Sequence, residues 1–268
     1  MSVEGKVVVI TGASQGVGRY VARTFATAKA KIVVADIAPM DTVAGEVEQL
    51  GAEVLPVKTD VTDEASVKSM VEAVHRRWGR IDVLMNDAGI VTHFHVGAPR
   101  WPGIRDMPQE FFKKVMETNL MGTFLCTKHV LPYMESLQSG HIINIGQGEL
   151  SQRPLGEERP GRPPNIGSAV YNTSKIAIRA FTRGVAEEER RYNICIVSMG
   201  PGTSGSGEPH TGPGGIVTED SPTWARETSL SRSVDTVGNR YVLAAEAPME
   251  LSGLQIMAKE GQLFPVAE

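Results

Sequence analysis

Tyr171 and Lys175 stand four residues apart in the run Tyr171-Asn172-Thr173-Ser174-Lys175. On a helix that spacing puts both side chains on one face. A phenol titrates near pH ~10 and is a poor base at neutrality. A neighbouring ammonium, joined by the positive ring of an oxidised nicotinamide, favours the phenolate. Lowering its pKa by about three units takes about 4 kcal/mol of differential stabilisation. A tyrosine so tuned takes the hydroxyl proton of an alcohol while hydride leaves the carbon, and in reverse protonates the forming alkoxide. A Tyr–Lys pair is also an ordinary surface contact, so the reading needs a second signal.

That signal is Thr11-Gly12-Ala13-Ser14-Gln15-Gly16-Val17-Gly18. The run follows an apolar strand pattern at 6–10 and opens a helical pattern at 17–29. Glycines there let backbone approach a pyrophosphate, and the helix N-terminus attracts its charge. Asp36 closes the next strand pattern, 31–35, on the order of 20 positions beyond the glycines, where a carboxylate accepts from the adenosine ribose hydroxyls. The same carboxylate repels a 2′-phosphate, and Ile37, Ser14 and Gln15 offer no cation to hold one. The residues therefore predict NAD(H) rather than NADP(H).

Alternating elements must position these groups. Further strand patterns fall at 53–57, 81–85, 141–145, 194–198 and 254–257. Helical patterns separate them at 40–50, 63–78, 108–135, 168–190 and 233–246; in the third, Phe111, Phe112, Val115, Met116 and Leu120 recur at helical spacing. This predicts an α/β chain: a doubly wound parallel sheet of seven strands with helices on both faces, forming a single domain over 1–268. Ligands of such sheets bind beyond the carboxyl ends of the strands, where every motif named here falls. Three long loops, near 90–108, 148–167 and 200–222, should border the same cleft, the last as a lid.

With these motifs in place, the chain resembles the short-chain dehydrogenase/reductase family over nearly its whole length. The run 11–18 matches the family's TGxxxGxG, with Gly12, Ser14, Gln15, Gly16, Val17 and Gly18 as implied cofactor contacts. Asp60-Val61 matches the pair that in the family contacts adenine, and Asp36 with Ile37 falls at the ribose. Asn86-Asp87-Ala88-Gly89 matches NNAG, with Asp87 in place of the second Asn. Asn119 matches the helix Asn that anchors a proton-relay water, and Tyr171 with Lys175 matches YxxxK, whose Lys also holds the nicotinamide ribose. Pro201-Gly202, followed by Thr203, matches the segment beside the nicotinamide. The family normally has a Ser after the fifth strand; here Gln147 stands there, so the implied catalytic set is Asn119, Gln147, Tyr171 and Lys175. Three arrangements answer the substitution. Gln147 binds the substrate oxygen through its carboxamide, Ser151 or Ser168 reaches in, or the protein is an NAD(H)-binding module with weak or no catalysis. The first two make it an NAD(H)-dependent oxidoreductase interconverting a secondary alcohol and a ketone on a small metabolite.

Composition agrees with a globular enzyme: 268 residues, 41% hydrophobic, net charge −4. That charge argues against a nucleic-acid partner. No apolar run is long enough to cross a membrane, and the first strand pattern starts too early for a signal peptide, so a cytoplasmic protein is expected. Cys126 and Cys195 sit in apolar contexts and read as buried free thiols. Arg100, Arg105, Arg153, Arg159 and Arg162 suit an anionic substrate but read first as solvated loop charge. His93 and His95 lack a placed third ligand, and no metal is expected. The resemblance implies a homo-oligomer, most often a tetramer, with the helices at 108–135 and 168–190 packed across an interface. The apolar tail at 262–268 is expected to dock on a neighbouring subunit.

Overall fold

The computed structural model describes residues 2–90, 103–146, 168–200, 234–259 and 261–266. Its strands are β1 (Val7–Thr11), β2 (Lys31–Asp36), β3 (Val54–Lys58), β4 (Val83–Asn86), β5 (Gly140–Ile145), β6 (Ile194–Met199), β7 (Gln255–Lys259) and β8 (Gln262–Pro265). They form one sheet in the order β3-β2-β1-β4-β5-β6-β7-β8. The helices are α1 (Gly16–Thr27), α2 (Asp41–Gln49), α3 (Glu64–Trp78), α4 (Gln109–Met116), α5 (Gly122–Leu137), α6 (Ser168–Glu189) and α7 (Val234–Ala244).

Both faces of the sheet are covered, and β1 shows why. All five of its residues are buried. Val8 and Ile10 join Tyr20, Val21 and Phe25 of α1 and Tyr241 of α7 in one core. Val7 and Val9 join Val67 and Met70 of α3 and Val130 of α5 in the other. An unbroken apolar run is what a strand needs when each alternate side chain enters a core. The chain runs outward from β1 to β2 and β3, then returns to β4 on its other side. The reversal between β1 and β4 leaves a crevice at their carboxyl ends. Register places Thr11 beside Ala35 and Asn86, and Asn144 beside Asn86 and Ser198, so these residues share that end.

Two expectations are corrected. The sheet has eight strands rather than seven, because β8 pairs antiparallel with β7, Met257 opposite Phe264. Residues 262–265 therefore complete the edge of their own sheet, with Phe264 still exposed. Gly261, at φ +76°, makes the reversal, a conformation that glycine adopts without steric cost. Second, the helix expected over 108–135 is three pieces: α4, a π-helical turn at Glu117–Met121, and α5. Such turns are frequent at functional sites, and this one holds Asn119.

Candidate active site

The glycine turn is shaped by close approach. Gly12 has φ +70°, and a Cβ there would lie 2.8 Å from Ala88 Cα. A Cβ on Gly18 would lie 2.5 Å from the Gly12 carbonyl oxygen. Gly16, at φ +57°, faces open space instead. The N-cap of α1 is Gln15, whose side chain makes no capping bond, and the first turn carries no acidic residue. The end of α1 thus presents backbone N–H groups beside an unfilled Cβ direction, an environment that fits a pyrophosphate.

Asp36 stands at the end of β2. Its carboxylate accepts from the Ser14 amide at 3.0 Å and the Ala38 amide at 3.0 Å, which ties the glycine turn to the β2 end. Ile37 is 65% exposed and open to a ligand. Arg19 of α1 is engaged with Glu46 of α2. Asp60 is exposed and uses its side chain to hold the backbone and hydroxyl of Thr62. Val61 is buried against α5, where a Cβ on Gly122 would come 2.7 Å from it.

The 86–89 segment divides its work. Asn86 turns its side chain away from the crevice, donating to Asn144 Oδ1 at 2.8 Å and Thr127 Oγ1 at 3.1 Å. Asn144 in turn donates to Thr182 Oγ1 of α6. The Asn86 side chain is therefore part of the floor that joins β4, β5 and α6. The backbone N–H groups of Asp87 and Ala88 both donate to Thr11 Oγ1 at 3.2 Å, so Thr11 fixes the loop against β1. Gly89 runs beside Asn119, where a Cβ would lie 3.1 Å from Asn119 Oδ1.

Asn119 is fully buried and fully used. Its Oδ1 accepts from the Ile90 amide at 2.7 Å, and its Nδ2 donates to the Ile90 carbonyl and to Ser174 Oγ. Ser174 donates in turn to the Tyr171 carbonyl at 2.7 Å. One chain of bonds thus links the loop after β4, the π turn and α6. Tyr171 and Lys175 are buried on one face of α6, with Lys175 Nζ 5.7 Å from the centre of the Tyr171 ring. Lys175 Nζ donates to the Ile145 carbonyl at the end of β5, at 2.8 Å.

The electrostatics of the enclosed pair are set by burial and by Asp87. Burial pushes the Tyr171 phenol above its ordinary value, and the Asp87 carboxylate pushes it further the same way. Burial pulls the Lys175 ammonium down, and Asp87 opposes that. Desolvation dominates at the phenol because its side chain is enclosed. Burial also pushes the Asp87 carboxyl up, against Lys175 and the Gly18 amide, which favour its charged form.

Gln147, Ser151, Pro201, Gly202 and Thr203 lie outside the described residues, as do the loop at 148–167 and most of the loops at 90–108 and 200–222. Ser168 starts α6. Among the described residues no cluster of His, Cys, Asp and Glu could hold a metal ion. Cys126 and Cys195 are buried free thiols, and burial pushes each up to about 12. Sequence reasoning missed Ser174 and the tethering role of Thr11. Both lay inside quoted motifs, but only the fold shows what they hold.

Residues 6–207 match the family model described as short chain dehydrogenase. The chain belongs to the short-chain dehydrogenase/reductase family. It is 33% identical over 234 residues to the 3-oxoacyl-acyl-carrier-protein reductase FabG of Thermotoga maritima, covering 87% of this chain and 84% of that one. Its fold is similar to that of a short-chain type dehydrogenase/reductase from Mycobacterium marinum, with a TM-score of 0.64 at 30% identity over 74% of this chain and 75% of that one. It is also similar to a 7α-hydroxysteroid dehydrogenase complexed with NADH and 7-oxo glycochenodeoxycholic acid, with a TM-score of 0.61 at 29% identity over 74% and 71% of the two chains. As a short-chain dehydrogenase/reductase, the protein is an oxidoreductase of hydroxyl and carbonyl groups that uses a nicotinamide dinucleotide. No helix among the described residues is long and apolar enough to cross a membrane.

Proposed function

We propose that this protein is an NAD(H)-dependent dehydrogenase that interconverts a secondary alcohol and a ketone on a small metabolite, with Tyr171 as general acid and base. The observation that carries the reading is the Tyr171–Lys175 pair, enclosed on α6 and tied through Ser174 and Asn119 to the loop after β4. Gly12, Gly16 and Gly18 with the α1 N-terminus hold the pyrophosphate. Asp36 and Ile37 receive the adenosine ribose, and Asp60 with Val61 the adenine. Ala88 and Gly89 line the cofactor's path, and Pro201, Gly202 and Thr203 flank the nicotinamide. NAD(H) is preferred because Asp36 repels a 2′-phosphate while Arg19 is committed to Glu46. Bound, the nicotinamide ring accepts or donates the hydride, and its oxidised form adds the positive charge that the buried phenol lacks.

Tyr171 passes the substrate proton toward Lys175, and Gln147 takes the place of the family Ser by bonding the substrate oxygen with its carboxamide. Asn119 supports the relay by keeping its backbone in the π turn. The protein is expected to work in the cytoplasm as a homo-oligomer. The test is NAD+ reduction at mildly alkaline pH across polyols, sugars, hydroxy acids, cyclic alcohols and hydroxysteroids, beside Tyr171→Phe and Gln147→Ala. Turnover lost in both variants supports the reading. Unchanged kinetics in Gln147→Ala removes Gln147 from it and turns attention to Ser151 or Ser168. Tight NADH binding with no turnover on any substrate favours a binding module.

A further inference from the structure

Asp87 places a negative charge where the family pattern has a neutral Asn, and the surrounding geometry gives that charge a use. Its backbone is fixed by Thr11 Oγ1. Its side chain reaches α1, where a Cβ on Gly18 would lie 3.0 Å from Oδ2, and the backbone there favours the charged carboxylate. Gly18 belongs to the first turn of α1, whose N–H groups have no partner within the helix. The same turn is the one that fits the pyrophosphate. Two anions are thus assigned to one helix end, and that end offers only partial positive charge.

The groups facing Asp87 come from three elements. Lys175 of α6 attracts the carboxylate, and Asp36 of β2 repels it. Tyr171 of α6 and Tyr241 of α7 are buried phenols, and the carboxylate opposes ionisation of each. The Lys175 ammonium is already bonded to the Ile145 carbonyl. Asp87 is half-buried rather than sealed in the core, so a proton can reach it from solvent.

We propose that Asp87 takes up one proton from solvent when the dinucleotide binds, so that cofactor affinity falls as pH rises. This rests on the dinucleotide reading given above. The bound phosphates make the carboxylate less favourable, and the neutral acid no longer repels them. The sign follows from linkage. Burial raises the Asp87 carboxyl; below its midpoint the free and bound proteins are both protonated and affinity does not depend on this group. Above it, binding requires a proton, and each pH unit weakens the complex by at most ~tenfold.

Two readouts test this on the full chain and on Asp87→Asn, which keeps the shape without the charge. NADH titrations followed by fluorescence span one unit either side of the midpoint. Infrared difference spectra, taken above the midpoint with and without NADH, report the carbonyl stretch of a protonated carboxylic acid, a signal that Lys175 cannot produce. The expected result is a several-fold loss of NADH affinity as pH rises, with an acid band that appears on binding and is missing in Asp87→Asn. Binding without that band, or an equal band in Asp87→Asn, overturns the proposal and leaves the dehydrogenase reading intact. Failure of both proteins to bind NADH or NADPH at any pH overturns both.

Discussion

Tyr171 sits in an environment that works against its own ionisation. Burial and the Asp87 carboxylate both raise the phenol, and Lys175 spends its ammonium on Ile145. The phenol therefore keeps its proton here, and under the proposed mechanism a positive ring beside it is what would favour its release. Tyr171→Phe is expected to lower turnover by about 10²-fold or more while NADH affinity changes little, measured by steady-state rates and fluorescence titration. Asp36 is legible in the same way, as a strand-end carboxylate that either receives a ribose or serves as a turn residue. Asp36→Ala should bring NADH and NADPH closer in affinity by weakening the first and relieving repulsion of the second. An unchanged ratio of their dissociation constants would remove Asp36 from cofactor selection. Gly18→Ala tests the glycine turn: a Cβ 2.5 Å from the Gly12 carbonyl must move backbone, costing about 1–3 kcal/mol, read from denaturant unfolding.

At the level of elements, the π turn at Glu117–Met121 is the piece that periodicity could not foresee. The apolar spacing through 108–135 is helical throughout, and one inserted residue in the hydrogen-bond ladder leaves almost no mark on it. What fixes the turn is the set of bonds from Asn119 to Ile90 and Ser174. Asn119→Ala leaves the Ile90 amide and carbonyl without these partners. The expected cost is about 1–3 kcal/mol, seen as a lower thermal midpoint, together with slower turnover. The edge strand β8 is the second such element. Four residues after a glycine turn carry too short a pattern to identify a strand, and pairing with β7 is what makes them one. A chain ending at Glu260 should lose stability and aggregate, because it uncovers the edge of β7. Equal solubility and thermal midpoint would show that β8 protects nothing.

Across the whole molecule, α4, α5 and α6 leave an apolar face. A surface hollow of ≈ 540 Å³ is lined by Met116, Leu120, Met121, Phe124, Ala177 and Phe181, and Met121 and Phe124 are exposed. The resemblance of the sequence to its family places a subunit interface on these helices, and this face has the apolar character that such an interface needs. Phe124→Glu with Phe181→Glu should convert an oligomer to a smaller species in sedimentation; a wild-type protein that is monomeric at micromolar concentration would refute the interface. The sequence alone determined the alternation of strands and helices, the two-faced burial of β1, the glycine turn, Asp36 and the Tyr171–Lys175 pair. Each of these is written in local periodicity or in the spacing of a few neighbouring residues, which local physics reads directly. Tertiary structure decided which way Asn86 points, why Asn119 needs a π turn, what Thr11 and Ser174 hold, and that Asp87 meets the end of α1. These are contacts between residues that are mostly far apart in the chain, 76 positions for Thr11 and Asp87 and 55 for Asn119 and Ser174, and no local pattern encodes them. The energy of a buried charge or an unpaired amide depends on what the fold sets beside it, so its chemistry appears only when the chain has closed around it.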